Sequence, residues 1–327
     1  MIGLQTRPPP NPNAAPVSTP ERAMPRVRVL LAAYNGAPWI REQIESVLAQ
    51  ENVHVQLIVR DDGSTDGTRT ELDGFANDSR VALLAGDAPS GSAAGNFLAL
   101  IAENPAADAD FVAFADQDDL WDSDKLWRAC RALSAQGAAG YSSATLAAWE
   151  DGRQRILKPS GAPTSSDFLF EGAGQGCTFV LTAQLYERVR QFLTQHRDRT
   201  VGLHYHDWAV YALARAWGLR WIFDPKPSMR YRQHAGNDTG ARGTLAGITK
   251  RLALIRGGWY RTQLLVICGL CSAAAPGNSQ VAAWQHALLQ PDGWGRRWRA
   301  TRLCVRGGRR RSRDNLVVAL GALIGWI

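Results

Sequence analysis

The sequence predicts an α/β fold: a Rossmann-like, mostly parallel sheet with helices on both faces, followed by a helical C-terminal extension. Three observations lead there. Short apolar runs alternate with helix-period segments between residues 27 and 115. The runs are continuous rather than alternating, as in strands covered on both faces. Beyond residue 236 no strong strand pattern remains, and helical periodicity takes over.

Residues 1–25 are rich in Pro and Asn, include Pro8-Pro9-Pro10, and have almost no apolar periodicity. They read as a disordered tail without the apolar stretch of a signal peptide. Met24, directly before the first strand, is the expected alternative start. Strand one is expected over 27–33. Pro38 then opens a helix at its first turn, with Ile40, Ile44, Val47 and Leu48 on one face. A second strand is expected at 55–59, a polar helix after Asp66, and a third strand at 81–85. A helix carrying Phe97, Leu98 and Ile101 and a fourth strand at 111–115 complete the alternation, which argues a parallel sheet. Further strands are expected near 141–148 and 178–181, around a Gly-rich stretch. An amphipathic helix over 205–217 follows, then strands at 220–223 and 229–232. This divides the chain into a tail (1–25), a catalytic domain (26–235) and a helical C-terminal region (236–327).

The 327 residues suffice for a sizeable core. The net charge of +7 is one segment rather than a whole-surface field. Nine arginines and no acid lie between Arg296 and Arg313; removing them from the 37 Lys and Arg leaves 28 against 30 acids. Nucleic-acid binding has no recognised module to go with those arginines. The five cysteines are scattered and odd in number, which suits a reducing compartment. Cys268-Gly-Leu-Cys271 has redox spacing, but within an apolar helical stretch it reads as packing.

Chemistry is expected where parallel strands end. The first strand ends at Tyr34-Asn35-Gly36, the second at Asp61-Asp62-Gly63-Ser64-Thr65-Asp66-Gly67-Thr68, and the fourth at Asp116-Gln117-Asp118-Asp119. The 61–68 run reads as an Asx turn leading into a helix start, which leaves Asp62 free to accept from a nucleobase or ribose. The 116–119 group reads either as a solvated acidic turn or as oxygen ligands for Mg²⁺ or Mn²⁺. Two acidic clusters at matching strand ends favour the second reading, because such carboxylates repel without a counter-ion.

These segments, with Ser46-Val47-Leu48-Ala49-Gln50, Gly95-Asn96-Phe97, Leu120-Trp121 and Lys125-Leu126, occur in the order seen in the nucleotide-binding half of family 2 glycosyltransferases with the GT-A fold. The resemblance is specific over about 26–135 and looser to about 240, and it leans to the rhamnosyltransferase-like branch. It implies a nucleotide-sugar donor, with Ala33, Tyr34, Asn35 and Gln117 at the donor site. Tyr34 and Asp62 would flank the nucleobase. Asp116 would meet the ribose side, Asn96 would contact the donor, and Asp118 would ligate the metal. Asp119 would share either role. Leu203-His204-Tyr205-His206-Asp207-Trp208 falls where the family keeps its catalytic base, implying that role for Asp207. Read alone, Asp207 is more readily a capping carboxylate at a helix start, stabilised by the helix dipole. Tyr231-Arg232-Gln233-His234-Ala235-Gly236-Asn237 resembles a segment of the same branch, implying His234 as a metal ligand and Arg232 as a phosphate partner. The Gly172–Cys177 stretch resembles the acceptor-side loop.

The activity implied is an inverting sugar transfer, with L-rhamnose from dTDP-L-rhamnose as the expected donor. The acceptor would be a saccharide or lipid-linked saccharide in bacterial surface polysaccharide synthesis. Transfer from a UDP-hexose, a nucleotidyltransferase and a non-catalytic nucleotide-sugar module are the alternatives. Residues 315–327 are uncharged and largely apolar, too few to span a bilayer, which needs about 20. With the arginines before them they predict docking on an anionic membrane face, cytoplasmic and peripheral, or else a plain core helix.

Overall fold

The computed structural model describes residues 24–85, 88–159, 161–234 and 256–327. The expected tail, apart from residues 24 and 25, and the boundary drawn at residues 235 and 236 lie outside the described residues. Strand β1 (Arg26–Ala33) is buried from both sides, which explains its unbroken apolar run. Leu30 enters one hydrophobic cluster, while Val29 and Leu31 enter another across the sheet. Helices α1 (Ile40–Leu48), the short α2 (Thr68–Asp73) and α4 (Lys125–Gln136) cover the Val29 face through Ile44, Leu72 and Leu126. Helices α3 (Ala93–Glu103), α5 (Ala183–Gln195) and α6 (His206–Ala216) cover the other through Phe97, Leu185 and Tyr211.

β1 pairs in parallel with β2 (His54–Asp61) and β4 (Phe111–Asp116), and β2 with β3 (Val81–Ala85). Past β4 the sheet becomes mixed. β8 (Val180–Thr182) runs antiparallel to β4 and to β6 (Gly140–Trp149), and β6 is parallel to β9 (Trp221–Gln233). β5 (Leu120–Trp121) and β7 (Gln154–Leu157) pair antiparallel with β9 and β6. The main path is β3-β2-β1-β4-β8-β6-β9-β5. The two strands expected at 220–223 and 229–232 are one. Pro225 and Pro227 lack N–H donors and so break the reading. The sheet absorbs them in a bulge: Asp224 pairs with Ser143, and the next partner pair is Pro227 with Ala144.

Described residues 256–327 are helical as expected: α7 (Trp259–Ala274), α8 (Ser279–Leu289), α9 (Trp294–Gly307) and α10 (Ser312–Leu323). Tyr260, Ile267, Trp284, Cys304 and Val318 join the same cluster as Leu30 and Phe97. All five cysteines are free and buried, so Cys268 and Cys271 serve as packing. The arginine run is not one exposed field. Arg296 is buried against Asp292 and the Ile327 carbonyl, and Arg309 and Arg310 enter ion pairs with Glu171 and Asp167. No described helix is long and apolar enough to cross a membrane.

Candidate active site

Parallel register brings the polar strand ends to one edge: Ala33 lies beside Asp61, and Ala32 beside Asp116. The chain leaves β1 through Tyr34, whose ring is exposed, and Asn35, which adopts a positive φ of 49°. Gln117 fastens this exit, accepting from the Tyr34 amide at 2.6 Å and donating to the Tyr34 carbonyl at 2.7 Å. A side chain at Gly36 would collide with it, a Cβ standing 2.5 Å from Gln117 Oε1. Asn35 Oδ1 accepts from Thr65 N at 2.8 Å, and Ser64 Oγ accepts from Asn35 N at 2.9 Å. The Asx-turn reading of 61–68 holds, since Asp61 accepts from Ser64 and Asp66 from Thr68.

Several expected donor contacts are already committed to the protein. Asp62 is not free: it is buried, pairs with Arg60 at 2.6 Å and accepts from both Ser90 N and Ser90 Oγ. Burial raises its pKa, but these bonds outweigh it and hold the carboxyl below its usual range. Asn96 is also buried. Its carbonyl accepts from Arg60 at 2.9 Å and its amide donates to the Ala33 carbonyl at 3.2 Å, so it braces β1 to β2. Ala33 is fully buried beneath that brace, and Gln117 and Asn35 bind backbone rather than face outward. Arg232 ion-pairs with Glu42 of α1. Of the residues assigned to the nucleotide, Tyr34 is exposed at the strand edge, and Asp116 is half-buried beside Asp119 and Cys177.

The two expected metal ligands meet. His234 Nε2 lies 2.8 Å from Asp118 Oδ2, with both side chains largely buried. Cis ligands about 2.1 Å from an octahedral ion stand about 3 Å apart, so this pair has the spacing and donor chemistry for a divalent cation. The His234 ring also stacks on Trp39 at 4.0 Å, which fixes its orientation. Asp119, expected to share either role, is fully buried, with the Cys177 thiol beside its carboxyl. It sits with Asp116 and Cys177, their ligand atoms within 4.8 Å of one another. Burial, then repulsion from Asp118 and Asp116, pushes its pKa up.

Asp207 occupies the first turn of α6, where its Oδ1 accepts from Trp208 N at 2.7 Å. It is also close enough to Asp116 to repel it: burial, Asp118 and Asp207 together raise the Asp116 pKa. Burial pushes Asp207 up to about 6 against the opposing hydrogen bonds of Trp208 and Gly176. A carboxylate poised there accepts a proton near neutrality. Its neighbour His206 is ill suited to that task. It is buried, stacks on Phe97 at 3.8 Å, and is held down to about 3 by desolvation. Glu171 is committed to Arg309 and Arg310.

Sequence reasoning missed Arg60, which welds Asp62 to Asn96. It also missed Lys125 as a buried cation lying 3.3 Å from the Trp121 ring centroid. Desolvation lowers the Lys125 pKa to about 7. Its presence in the Lys125-Leu126 motif was the available signal, and nothing in that spacing says which way the amine points.

The model of the Glycosyl transferase family 2 family matches residues 28–198. The chain is 33% identical over 253 residues to the dTDP-rhamnosyl transferase RfbG of Shigella flexneri, covering 77% of this chain and 88% of that protein. A putative teichuronic acid biosynthesis glycosyltransferase of Bacillus subtilis is 35% identical over 36% of this chain and 47% of its own length. Among solved structures, S. aureus TarS 1-349 in complex with UDP-GlcNAc superposes with a TM-score of 0.56 at 13% identity, covering 92% of this chain and 89% of that one. That last likeness is one of fold, and the fold is the GT-A arrangement that the family resemblance implied. With strand ends, acidic cluster and helix-borne Asp207 gathered on one edge, the chain belongs to glycosyl transferase family 2.

Proposed function

We propose that this glycosyltransferase moves L-rhamnose from dTDP-L-rhamnose, with inversion, to a saccharide or lipid-linked saccharide acceptor in surface polysaccharide synthesis. The observation that carries the reaction type is the seating of Asp207 against Gly176, next to the Cys177 that sits with Asp116 and Asp119. It sets a raised-pKa carboxylate opposite the group expected to hold the nucleotide. The donor rests on the likeness to a dTDP-rhamnosyl transferase.

In this reading Tyr34 offers an exposed ring for the base and Asp116 faces the ribose. Asp118 and His234 would hold Mg²⁺ or Mn²⁺, which when bound would offset the charge of the diphosphate. Asp207 takes the proton of the acceptor hydroxyl as its oxygen bonds to the anomeric carbon. The bond to the diphosphate oxygen breaks on the opposite face, and the nucleoside diphosphate leaves. One displacement inverts the centre, without the carboxylate nucleophile of a retaining mechanism.

The acceptor would be met at the inner face of the membrane, where α9 and α10 pair. Trp294, Trp298 and Val305 project from the outer side of α9, and Leu316, Leu320 and Ile324 from that of α10, all about half exposed or more. Exposed Arg299, Arg302, Arg306 and Arg313 flank them. An apolar face framed by guanidinium groups matches an anionic lipid surface.

The test is nucleoside diphosphate release from dTDP-L-rhamnose and UDP-glucose with Mn²⁺ or Mg²⁺, over saccharide acceptors. Turnover of dTDP-L-rhamnose in the faster range supports the reading. Faster turnover of UDP-glucose refutes the donor, and no release from either donor refutes the activity.

A further inference from the structure

A buried ion network ties the C-terminal helices to the helix that carries Asp207. Between α9 and α10 the chain turns at Arg309 and Arg310, and the Arg310 side chain is nearly inaccessible. Its guanidinium donates to Asp167 Oδ2 at 2.8 Å, to Tyr211 Oη at 3.2 Å and to the Gly172 carbonyl. Its backbone N–H donates to Glu171 at 2.6 Å. Asp167, wholly buried, also accepts from Tyr211 at 2.6 Å and from Arg215 at 2.9 Å.

These partners fall into two sets. Tyr211 and Arg215 stand four and eight residues after Asp207, so one stripe of α6 carries all three. Gly172 opens the loop that runs to Gly176 and Cys177. A Cβ on Gly172 would stand 3.5 Å from Trp208 Cα, and one on Gly176 would stand 2.9 Å from Asp207 Cβ. Trp208 in turn donates from its ring N–H to the Phe168 carbonyl at 2.8 Å. Charge neutralisation alone would need only the carboxylates. The bond to the Gly172 carbonyl fixes where the loop lies against Asp207.

We infer that Arg310 is a positioning residue of the acceptor side: by gripping the Gly172 carbonyl and the Tyr211–Arg215 face of α6 together, it seats the 172–177 loop against Asp207. The C-terminal helices are therefore part of the transfer site rather than an appendage. This rests on the reading of Asp207 as the base.

A double-mutant cycle on the full chain separates the two claims. Arg310→Lys keeps the charge but is a single compact cation, unable to span Asp167 and the Gly172 carbonyl as the planar fork does. It should lower kcat for transfer from dTDP-L-rhamnose about 10–100-fold, with KM for the donor and calorimetric affinity for dTDP with Mn²⁺ unchanged. In the Asp207→Asn background the same change should add little further loss. Full kcat in Arg310→Lys, losses that multiply, or weakened dTDP binding would each overturn the inference. A fully active Asp207→Asn would instead overturn the base reading, and with it the route through which Arg310 is held to act. Should the lysine variant not accumulate, Arg310→Gln with Asp167→Asn removes the charge imbalance and is read the same way.

Discussion

Gly176 and Asp207 are in such close approach that a Cβ on the glycine would stand 2.9 Å from the aspartate Cβ. No flexible end is available to yield, because both atoms are anchored to backbone. Gly176→Ala should therefore cost about 1–3 kcal/mol of stability and reduce transfer about 10–100-fold through displacement of the carboxylate. Thermal unfolding and initial rates measure the two effects. A variant with wild-type values in both would show that the loop does not press on Asp207.

Asp207→Asn retains the shape and still accepts from the Trp208 amide. Fold and dTDP affinity should hold, while transfer falls about 10²–10⁴-fold, the usual worth of a general base. Loss of nucleotide binding as well would move Asp207 into the donor site.

The same carboxylate sets a pH signature. Its folded pKa is raised to about 6 by burial, above an unfolded value near 3.9. The folded state thus binds more protons between those values, so its contribution to stability is greatest at low pH and is lost as pH rises through about 6. Activity runs the other way, because only the ionised form accepts a proton. The kcat profile should rise to a plateau with an acid limb near pH 6. A flat profile from pH 5 to 8 would contradict it, as would a limb that persists in the residual activity of Asp207→Asn.

Asp118→Ala removes the oxygen that faces His234 Nε2 at 2.8 Å. Calorimetry with dTDP should show metal-dependent affinity reduced about tenfold or more. The metal-independent part should be unaffected. Equal affinity in Mn²⁺ for the variant and the parent would dismiss Asp118 as a ligand.

Trp298→Ser with Leu320→Ser leaves the α9–α10 contact intact, since both side chains point outward. Flotation with vesicles containing phosphatidylserine should show the parent bound and the double variant largely free at 150 mM salt. Each arginine near the surface adds about 1 kcal/mol, screened as salt rises. Equal flotation would assign attachment to another surface.

What the sequence disclosed follows from what periodicity can encode. The unbroken apolar run in β1 announces a strand with two covered faces, and the turn residues after it announce an edge where ligands bind. Asp118 and His234 were paired by resemblance, and they do meet although 116 positions separate them. The direction in which a polar side chain turns is not encoded that way. Asp62, Asn96 and Gln117 sit at the expected places, yet each is drawn into bonds with Arg60, Ser90 or the Tyr34 backbone. Arg60 lies in an apolar strand, and only the tertiary arrangement shows that it fills the gap between two loops. The arginine run gave a correct charge count and an incomplete picture, because buried Asp167 and Glu171 claim two of its members.

The separation of Asp167 and Arg310 also bears on how the molecule comes into being. These partners are 143 positions apart. At translation rates of about 5–20 residues per second, Asp167 is joined to the chain roughly 7–30 s before its counter-ion. Through that interval the nucleotide half has all its strands, but the acceptor half holds two acids that cannot be buried without their arginines. The strand-end edge formed by β1, β2 and β4 is therefore complete first, and the segment from Asp167 to Cys177 stays open until the last helices arrive. In that window the carboxylates of Asp167 and Glu171 remain in water.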